Sequence, residues 1–492
     1  MRKNLLFLMS LVLVAGLCHD GRATTLNRPM DPVVLTGSNV SSLTGADVDE
    51  IVGFRYQAGW QQIPIQIDER DLVDLDKPYN GQGTSGPTGI YVMQYNDPGT
   101  FTGADTNPQF DGDDELVFMA FDAGSKAPGH EPAGVVSGSG LELRITDPLD
   151  TGVGYVYLFR TNGSLDPGAG QQYVNYVFNV IGCPNYLSCY DIGGDNPEDS
   201  TVTTSSYSHH FSEMWVNDTM QITVDGSTGT DFLDRQRIAL YPNSGARNED
   251  TFSESRGCFV VSRSGPIRAI RGFMGSNSGI YNQMDLIFYA QRWEWILYHR
   301  VHEMYSAWGA YDYNHQAIGM RYHSNLHPDG VTIDGIPDSI STVPSDWDMV
   351  TGSHGTQIVS HVDLIHDIPT LSVAQYYDDQ DPPSETQTTG DNYTFGVNGT
   401  WLTGIPNTDP TIDPSKNLTV RDVISYDGPN KTVSDAQTAY QNATTDLSVT
   451  ASPYEQGAPV PSLSPMGVAL LGGLVFAIAV AGIAVQRRRR AG

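Results

Sequence analysis

Basic residues are scarce in this chain. Lys plus Arg number 27 against 57 Asp plus Glu, which leaves a formal charge of −30 over 492 residues. A surface of that sign repels phosphate backbones and has few cations with which to displace their counterions, so nucleic acid is excluded as a partner. Charged residues of both signs make up only 17% of the chain, too few for a coiled coil or a long helical bundle. Cysteine is rarer still, with four in all. Several catalytic signatures are missing. The sequence has no Walker loop, no Gly-x-Gly-x-x-Gly fingerprint, no Gly-x-Ser-x-Gly elbow and no Cys-His nucleophile pattern. Gly275-Ser276-Asn277-Ser278-Gly279 sets Asn277 where an elbow would need its serine.

What the chain does have is 51 Gly, 29 Pro and 48 aromatic residues, of which 25 are Tyr. That aromatic content can bury a large core and argues against wholesale disorder. Apolar residues alternate with polar ones instead of recurring every 3.6 positions. In Trp60–Asp68, Ile63, Ile65 and Ile67 share one face while Gln62, Gln66 and Asp68 take the other, with Pro64 marking an edge. Similar short runs lie at 90–95, 115–121, 141–146, 153–160, 173–180, 220–224, 237–241, 258–262, 267–273, 284–289, 293–304, 317–322, 357–362, 371–376 and 393–397. Turn-forming clusters separate them, the pattern of antiparallel sandwiches and barrels. Only Val433–Ala443 reads as a helix of more than two turns. The expected fold class is therefore all-β, with one or two antiparallel β-sandwich domains.

Both ends read as addresses. Arg2 and Lys3 precede an apolar run from Leu5 to Leu17, and Gly21-Arg22-Ala23 supplies small residues at a cleavage site. Residues 1–23 are thus expected to be a signal peptide, the run being too short to span a bilayer core of ~30 Å. Leu17 stands before Cys18 where a lipoprotein site would want a small residue. At the other end, Met466–Val485 is free of charge and long enough to span, and Arg487 to Arg490 follow it. Arginines resist translocation, so the tail 486–492 is expected in the cytoplasm and the body outside. Between the two tags the expected organisation is a β-sandwich over 24–200, a larger one over 201–404, and a Pro/Ser/Thr-rich stalk over 405–465. Export also fits the cysteines. Cys183 and Cys189 flank a turn-rich stretch and are expected to form a local disulfide, while Cys258 is left over as a buried thiol.

The segment Val460-Pro461-Ser462-Leu463-Ser464-Pro465-Met466-Gly467, with its apolar span and Arg cluster, resembles the C-terminal sorting signals of the IPTL-CTERM type. Pro461, Leu463, Ser464 and Gly467 match that motif, whereas Val460, Ser462 and Met466 depart from its Ile, Thr and Trp. The resemblance covers residues 460–492 and implies export and sorting machinery as partners and a place in the cell envelope or at the cell surface. It implies nothing about the body.

Three clusters could carry chemistry. The acidic loop Asp105, Asn107, Asp111, Asp113 and Glu115 offers oxygens in an order that suits a structural Ca²⁺, although the order is not that of an EF-hand. The stretch 256–327 holds seven of the sixteen arginines that remain between the two end tags, together with many aromatics and five histidines. Aromatic faces stack on sugar rings and guanidinium forks bind carboxylates or sulfates, so Arg268, Arg271, Arg292, Arg300 and Trp308 are candidate substrate contacts. Tyr298, His302 and His323 are candidate proton-transfer groups. Strand alternation sets a limit on this island. It puts Trp293, Trp295, Leu297 and His299 on one face and Glu294, Ile296, Tyr298, Arg300 and His302 on the other. The third cluster, His209-His210 with Glu213 and Trp215, is weaker because adjacent histidines diverge on a strand. The leading functional expectation is an exported, membrane-tethered β protein that binds extracellular carbohydrate or acts in adhesion. The alternative is a lyase or epimerase-like enzyme acting on acidic polysaccharide through an Arg/Tyr/His cleft.

Overall fold

The computed structural model describes residues 25–75, 91–181, 197–241, 247–253, 257–275, 282–300, 305–383, 390–405 and 417–455. Strands dominate them, as the alternation requires. The expected signal peptide, the Cys183–Cys189 bridge, the sorting motif and the apolar C-terminal span lie outside the described residues. Among those described, no helix is long and apolar enough to cross a membrane.

The centre is a nine-stranded antiparallel sheet. In spatial order its strands are Gly257–Ser264, Ala269–Gly275, Asn282–Phe288, Arg292–Arg300, Asn417–Asp427, Gly355–His366, Trp347–Gly352, Arg321–Ser324 and Val331–Thr332. A five-stranded sheet packs on one side of it, in the order Arg247–Asn248, Leu233–Tyr241, Ser306–Tyr313, Thr394–Thr403 and Ser372–Gln380. Their shared core includes Trp293, Trp295, Leu297, Tyr311, Tyr313 and Tyr426. Each such buried side chain contributes about 1.5–3 kcal/mol. Gly309 is required at this contact, because a Cβ there would stand 2.4 Å from the Trp295 ring.

Two more sheets form the N-terminal part. One runs Ser448–Pro453, Leu141–Thr146, Val153–Arg160, Ile51–Tyr56 and Trp60–Ile63. The other runs Pro32–Thr36, Glu115–Met119 and Gln66–Asp68. The expected strand over Trp60–Asp68 thus divides at Pro64 and serves both sheets. Strand Glu115–Met119 is buried on both faces. Leu116 and Phe118 enter the core of the N-terminal sheets. Val117 and Met119 enter the larger core, which turns Glu115 toward the nine-stranded sheet.

Two expectations are corrected. A domain boundary near 200 falls inside a four-stranded sheet, where Val174–Val177 pairs with Pro197–Thr204. The larger core also joins Leu75, Val117 and Tyr173 to Phe273 and Tyr426, so the two blocks do not have separate interiors. The stalk over 405–465 is overturned for residues 417–455. Asn417–Asp427 pairs with Arg292–Arg300 on one side and Gly355–His366 on the other, at the middle of the great sheet. Ser448–Pro453 closes the edge of Leu141–Thr146. Between them the helix Val433–Thr444 starts at a capping box in which Thr432 N donates to Asp435 Oδ2 at 2.8 Å, and it buries Ala436 and Ala443. A smaller correction concerns 317–322. A 3-10 turn, His315–Ala317, and Gly319 at φ +90° interrupt the run, so the strand begins only at Arg321.

Candidate functional site

The face of the nine-stranded sheet turned away from the five-stranded sheet carries a cavity of about 350 Å³. Its floor follows from strand parity. Arg292, Glu294, Ile296 and Tyr298 point into it from one strand, Asp285 and Ile287 from the next, and Arg421 from the strand on the other side. One wall is Pro32–Val34 with Glu115. Another is a two-stranded ribbon, Arg70–Asp74 paired with Tyr91–Tyr95, which contributes Arg70, Met93, Gln94 and Tyr95. Val34 and Met93 are each 40% exposed, which places them at the mouth.

The cavity wall is a lattice of guanidinium and carboxylate groups. Arg268 is buried and donates from Nε to Asp68 Oδ2 at 2.8 Å, from Nη2 to Glu115 Oε2 at 2.7 Å and from Nη1 to the Tyr289 hydroxyl at 3.2 Å. Arg70 also pairs with Glu115, whose Oε2 accepts the Tyr95 hydroxyl at 2.9 Å. Arg70 and Arg268 both stand against the Tyr95 ring, at 5.7 and 5.1 Å. Burial alone would raise the Glu115 carboxyl, but Arg268 and Arg70 outweigh it and hold the group below its ordinary range. Arg421 donates to Glu294 at 3.0 Å and Asp363 at 3.2 Å. Arg292 is the loosest member, 3.5 Å from Glu294 and 4.0 Å from Asp31, and its Nε has no acceptor among the described residues.

Asp285 differs from these acids. Its hydrogen-bond donors are amides, Gln94 Nε2 at 3.1 Å and Gln283 Nε2 at 3.2 Å. Burial pushes its carboxyl up to about 6, although the two amides oppose the shift. The tyrosines move the other way from a base. Burial raises Tyr95 and Tyr298, and it raises Tyr289 to about 12 against the pull of Arg268.

The sequence-predicted residues divide. Arg268, Arg292 and Tyr298 converge on the cavity. Arg271 does not. It faces the opposite side of the sheet, where it makes a two-pronged pair with Glu198 at 2.8 and 2.9 Å among Phe211, Phe259 and Phe273. Arg300 lies past the cavity and donates to Gln283 Oε1 at 3.0 Å, with burial lowering it to about 10. Trp308 is buried under Arg237, whose guanidinium stands 4.7 Å from its ring, so it is no sugar platform. His323 is spent locally on the Pro328 carbonyl at 3.0 Å, and His302 is outside the described residues.

The acidic loop is also redistributed. Glu115 faces the cavity, away from the proposed calcium oxygens. Asn107 Nδ2 donates to Asp111 at 2.8 Å, and a shared hydrogen bond with Asp111 raises Asp113 to about 6. Among the described residues no group of three His, Cys, Asp or Glu side chains is arranged to hold a metal. His209 and His210 diverge as strand geometry demands. His209 is buried against the Tyr426 hydroxyl at 2.7 Å and lowered by burial to about 4, whereas His210 lies between Asp218 and Asp199. Burial raises the Cys258 thiol and leaves it inert.

Residues missed in the sequence are Arg70, Glu115 as a cavity acid, Asp285 and Arg421. For Arg421 a signal was present. Leu418, Val420, Asp422, Ile424 and Tyr426 alternate as a strand should, but the Thr- and Asp-rich surroundings read as a stalk.

No family model matches the sequence, and no curated protein matches it. Among solved structures, a heparan sulfate lyase from Pedobacter heparinus aligns at 8% identity over 55% of this chain and 43% of its own, with a TM-score of 0.29. A putative aldose 1-epimerase from Escherichia coli aligns at 9% identity over 52% of this chain and all of its own, with a TM-score of 0.23. A galactose mutarotase related enzyme from Lactobacillus acidophilus aligns at 7% identity over 47% of this chain and 98% of its own, with a TM-score of 0.24. The chain thus spans less than half of the lyase, and resemblances this faint leave the functional argument to its own side chains.

Proposed function

We propose that this chain is an exported protein of the cell envelope that binds carbohydrate in the cavity on its great sheet. The observation that carries this reading is the wall itself. Fixed guanidinium and carboxylate groups alternate there, with tyrosine rings between them, in a space within the ~300–1,000 Å³ range of ligand pockets. Vicinal hydroxyls both donate and accept, so they can bridge such pairs, and sugar C–H faces pack on aromatic rings. The leader-like first 23 residues, the charge-free span 466–485 and its Arg tail support export and tethering to the membrane. A glycan array probed with the purified full-length protein tests the binding. Retention of no glycan at any salt concentration would sink it. Fractionation of cells tests the placement, which fails if the uncleaved chain is found in the cytosol.

A second reading, turnover of the bound sugar, has one observation in its favour. Burial pushes the Asp285 carboxyl against the cavity up to about 6, a shift in the direction a general acid–base group needs. The tyrosines do not support lyase chemistry, since burial raises all three. Product analysis after incubation with the retained glycan separates the readings, and D285N must abolish any turnover while retaining binding.

A further inference from the structure

We infer that the ligand of this cavity is an uncharged sugar, not the uronate or sulfate that an arginine-rich wall first suggests. The inference rests on the carbohydrate reading above and narrows it. Every guanidinium at the cavity already faces carboxylate. Arg268 is held between Asp68 and Glu115, Arg70 shares Glu115, and Arg421 lies between Glu294 and Asp363. Arg292 stands between Glu294 and Asp31.

The lining adds two further acids, Asp285 and Asp446; among the described residues no arginine lining the cavity pairs with either, although the Arg300 guanidinium beyond it also pulls on Asp285. Carboxylates therefore at least match cations around the space, in a chain whose overall charge is −30. An anionic ligand would have to break an existing charge-assisted pair and leave a carboxylate beside its own charge, a like-charge contact in a partly desolvated site. A hydroxyl breaks nothing. It accepts from the loosely paired guanidinium of Arg292, whose carboxylate neighbours stand 3.5 and 4.0 Å away, and donates to Glu294 beside it. Asp285 and its two glutamine amides offer a second, uncharged patch of donors and acceptors when the carboxyl is protonated.

The test uses the full-length protein and three glycan sets: neutral, uronate-containing and sulfated. Binding is read at ionic strengths of roughly 0.01 M and roughly 1 M, where screening lengths are ~30 and ~3 Å. The expected result is retention of neutral glycans, with affinity changing less than about twofold between the two salts. Retention of only uronate or sulfated glycans, lost steeply with salt, overturns the inference while leaving a carbohydrate site in place. No retention of any set overturns the carbohydrate reading itself. M93W fills the mouth from an exposed position and is expected to weaken neutral-glycan binding at least about tenfold, a change of ~1.4 kcal/mol. L149W, at an exposed turn elsewhere, is expected to leave binding unchanged. Neutral-glycan binding that survives M93W in a folded protein places the ligand elsewhere and overturns the inference.

Discussion

Gln94 reaches from the two-stranded ribbon to the floor of the great sheet and donates to Asp285 at 3.1 Å. This contact ties a wall of the cavity to a buried acid whose hydrogen-bond donors among the described residues are two amides, Gln94 and Gln283. The Asp285 carboxyl sits at about 6 in the folded protein against an ordinary 3.8. Between about pH 4 and 6 the native state therefore keeps a proton that the unfolded chain has already lost. Stability from this group is present below about pH 4 and falls as pH rises through 6, by up to ~3 kcal/mol. Urea titrations between pH 4 and 8 check this. D285N is expected to flatten that part of the profile, and an unchanged slope would show that the carboxyl is not the source.

His361 acts in the same direction, its stability contribution also falling as pH rises, but the group that holds the proton is a cation. Its ring lies 2.9 Å from Asp422 and 3.1 Å from Asp348, and Asp348 also accepts from Tyr322, Ser345 and Gln375. Burial opposes a charged imidazole, but the two carboxylates outweigh it and hold the ring protonated well above its ordinary 6.5. Its contribution is complete below about pH 6.5 and is lost as pH climbs through that raised value. H361A leaves two buried aspartates without their cation and is expected to cost ~3–5 kcal/mol at pH 6, measured by denaturant unfolding.

Arg271 and Glu198 join the four-stranded sheet to the great sheet through a pair with both side chains fully buried. R271M alone is expected to destabilise by ~3–5 kcal/mol, because Glu198 is left charged in an apolar box. The double variant R271M/E198L is expected to recover much of that loss, and a double-mutant cycle measures the coupling. Strictly additive losses would refute this account of the pair.

Arg28 fastens the start of the described chain to the end of the helix Val433–Thr444. Its Nη2 donates to the Asn442 carbonyl at 2.6 Å and its Nη1 to the Thr445 carbonyl at 2.8 Å, while Asp31 and Asp147 balance its charge. These carbonyls have no partner within the helix, so R28A is expected to cost ~1–3 kcal/mol. Amide exchange in residues 436–445 should accelerate in the same variant, and protection equal to that of the parent would show that the clasp is dispensable.

Much of the local structure was legible in the sequence because strand parity is a local property. The face assignment along Trp293–Arg300 holds, with Trp293, Trp295, Leu297 and His299 buried in the core and Glu294, Ile296 and Tyr298 turned to the cavity. The same parity, applied to Arg268 and Arg271, would have parted them, since an odd spacing on extended chain sends side chains to opposite faces. Partnership was not legible. Nothing in the neighbourhood of Arg421 reports that residues 417–427 pair with a strand more than a hundred positions earlier. Glu115 reads as the end of an acidic loop until the ladder with Gln66–Asp68 fixes which way it points.

The insertion of Asn417–Asp427 between strands made far earlier has a consequence for biosynthesis. While the ribosome has delivered only the first four hundred residues, the two halves of the great sheet flank an empty slot and present bare backbone edges to one another. A nascent chain in that state is prone to mispairing, so folding is best delayed until residue 427 has been made. A stop codon anywhere before residue 427 would yield a product fit for proteolysis, not a shortened working protein.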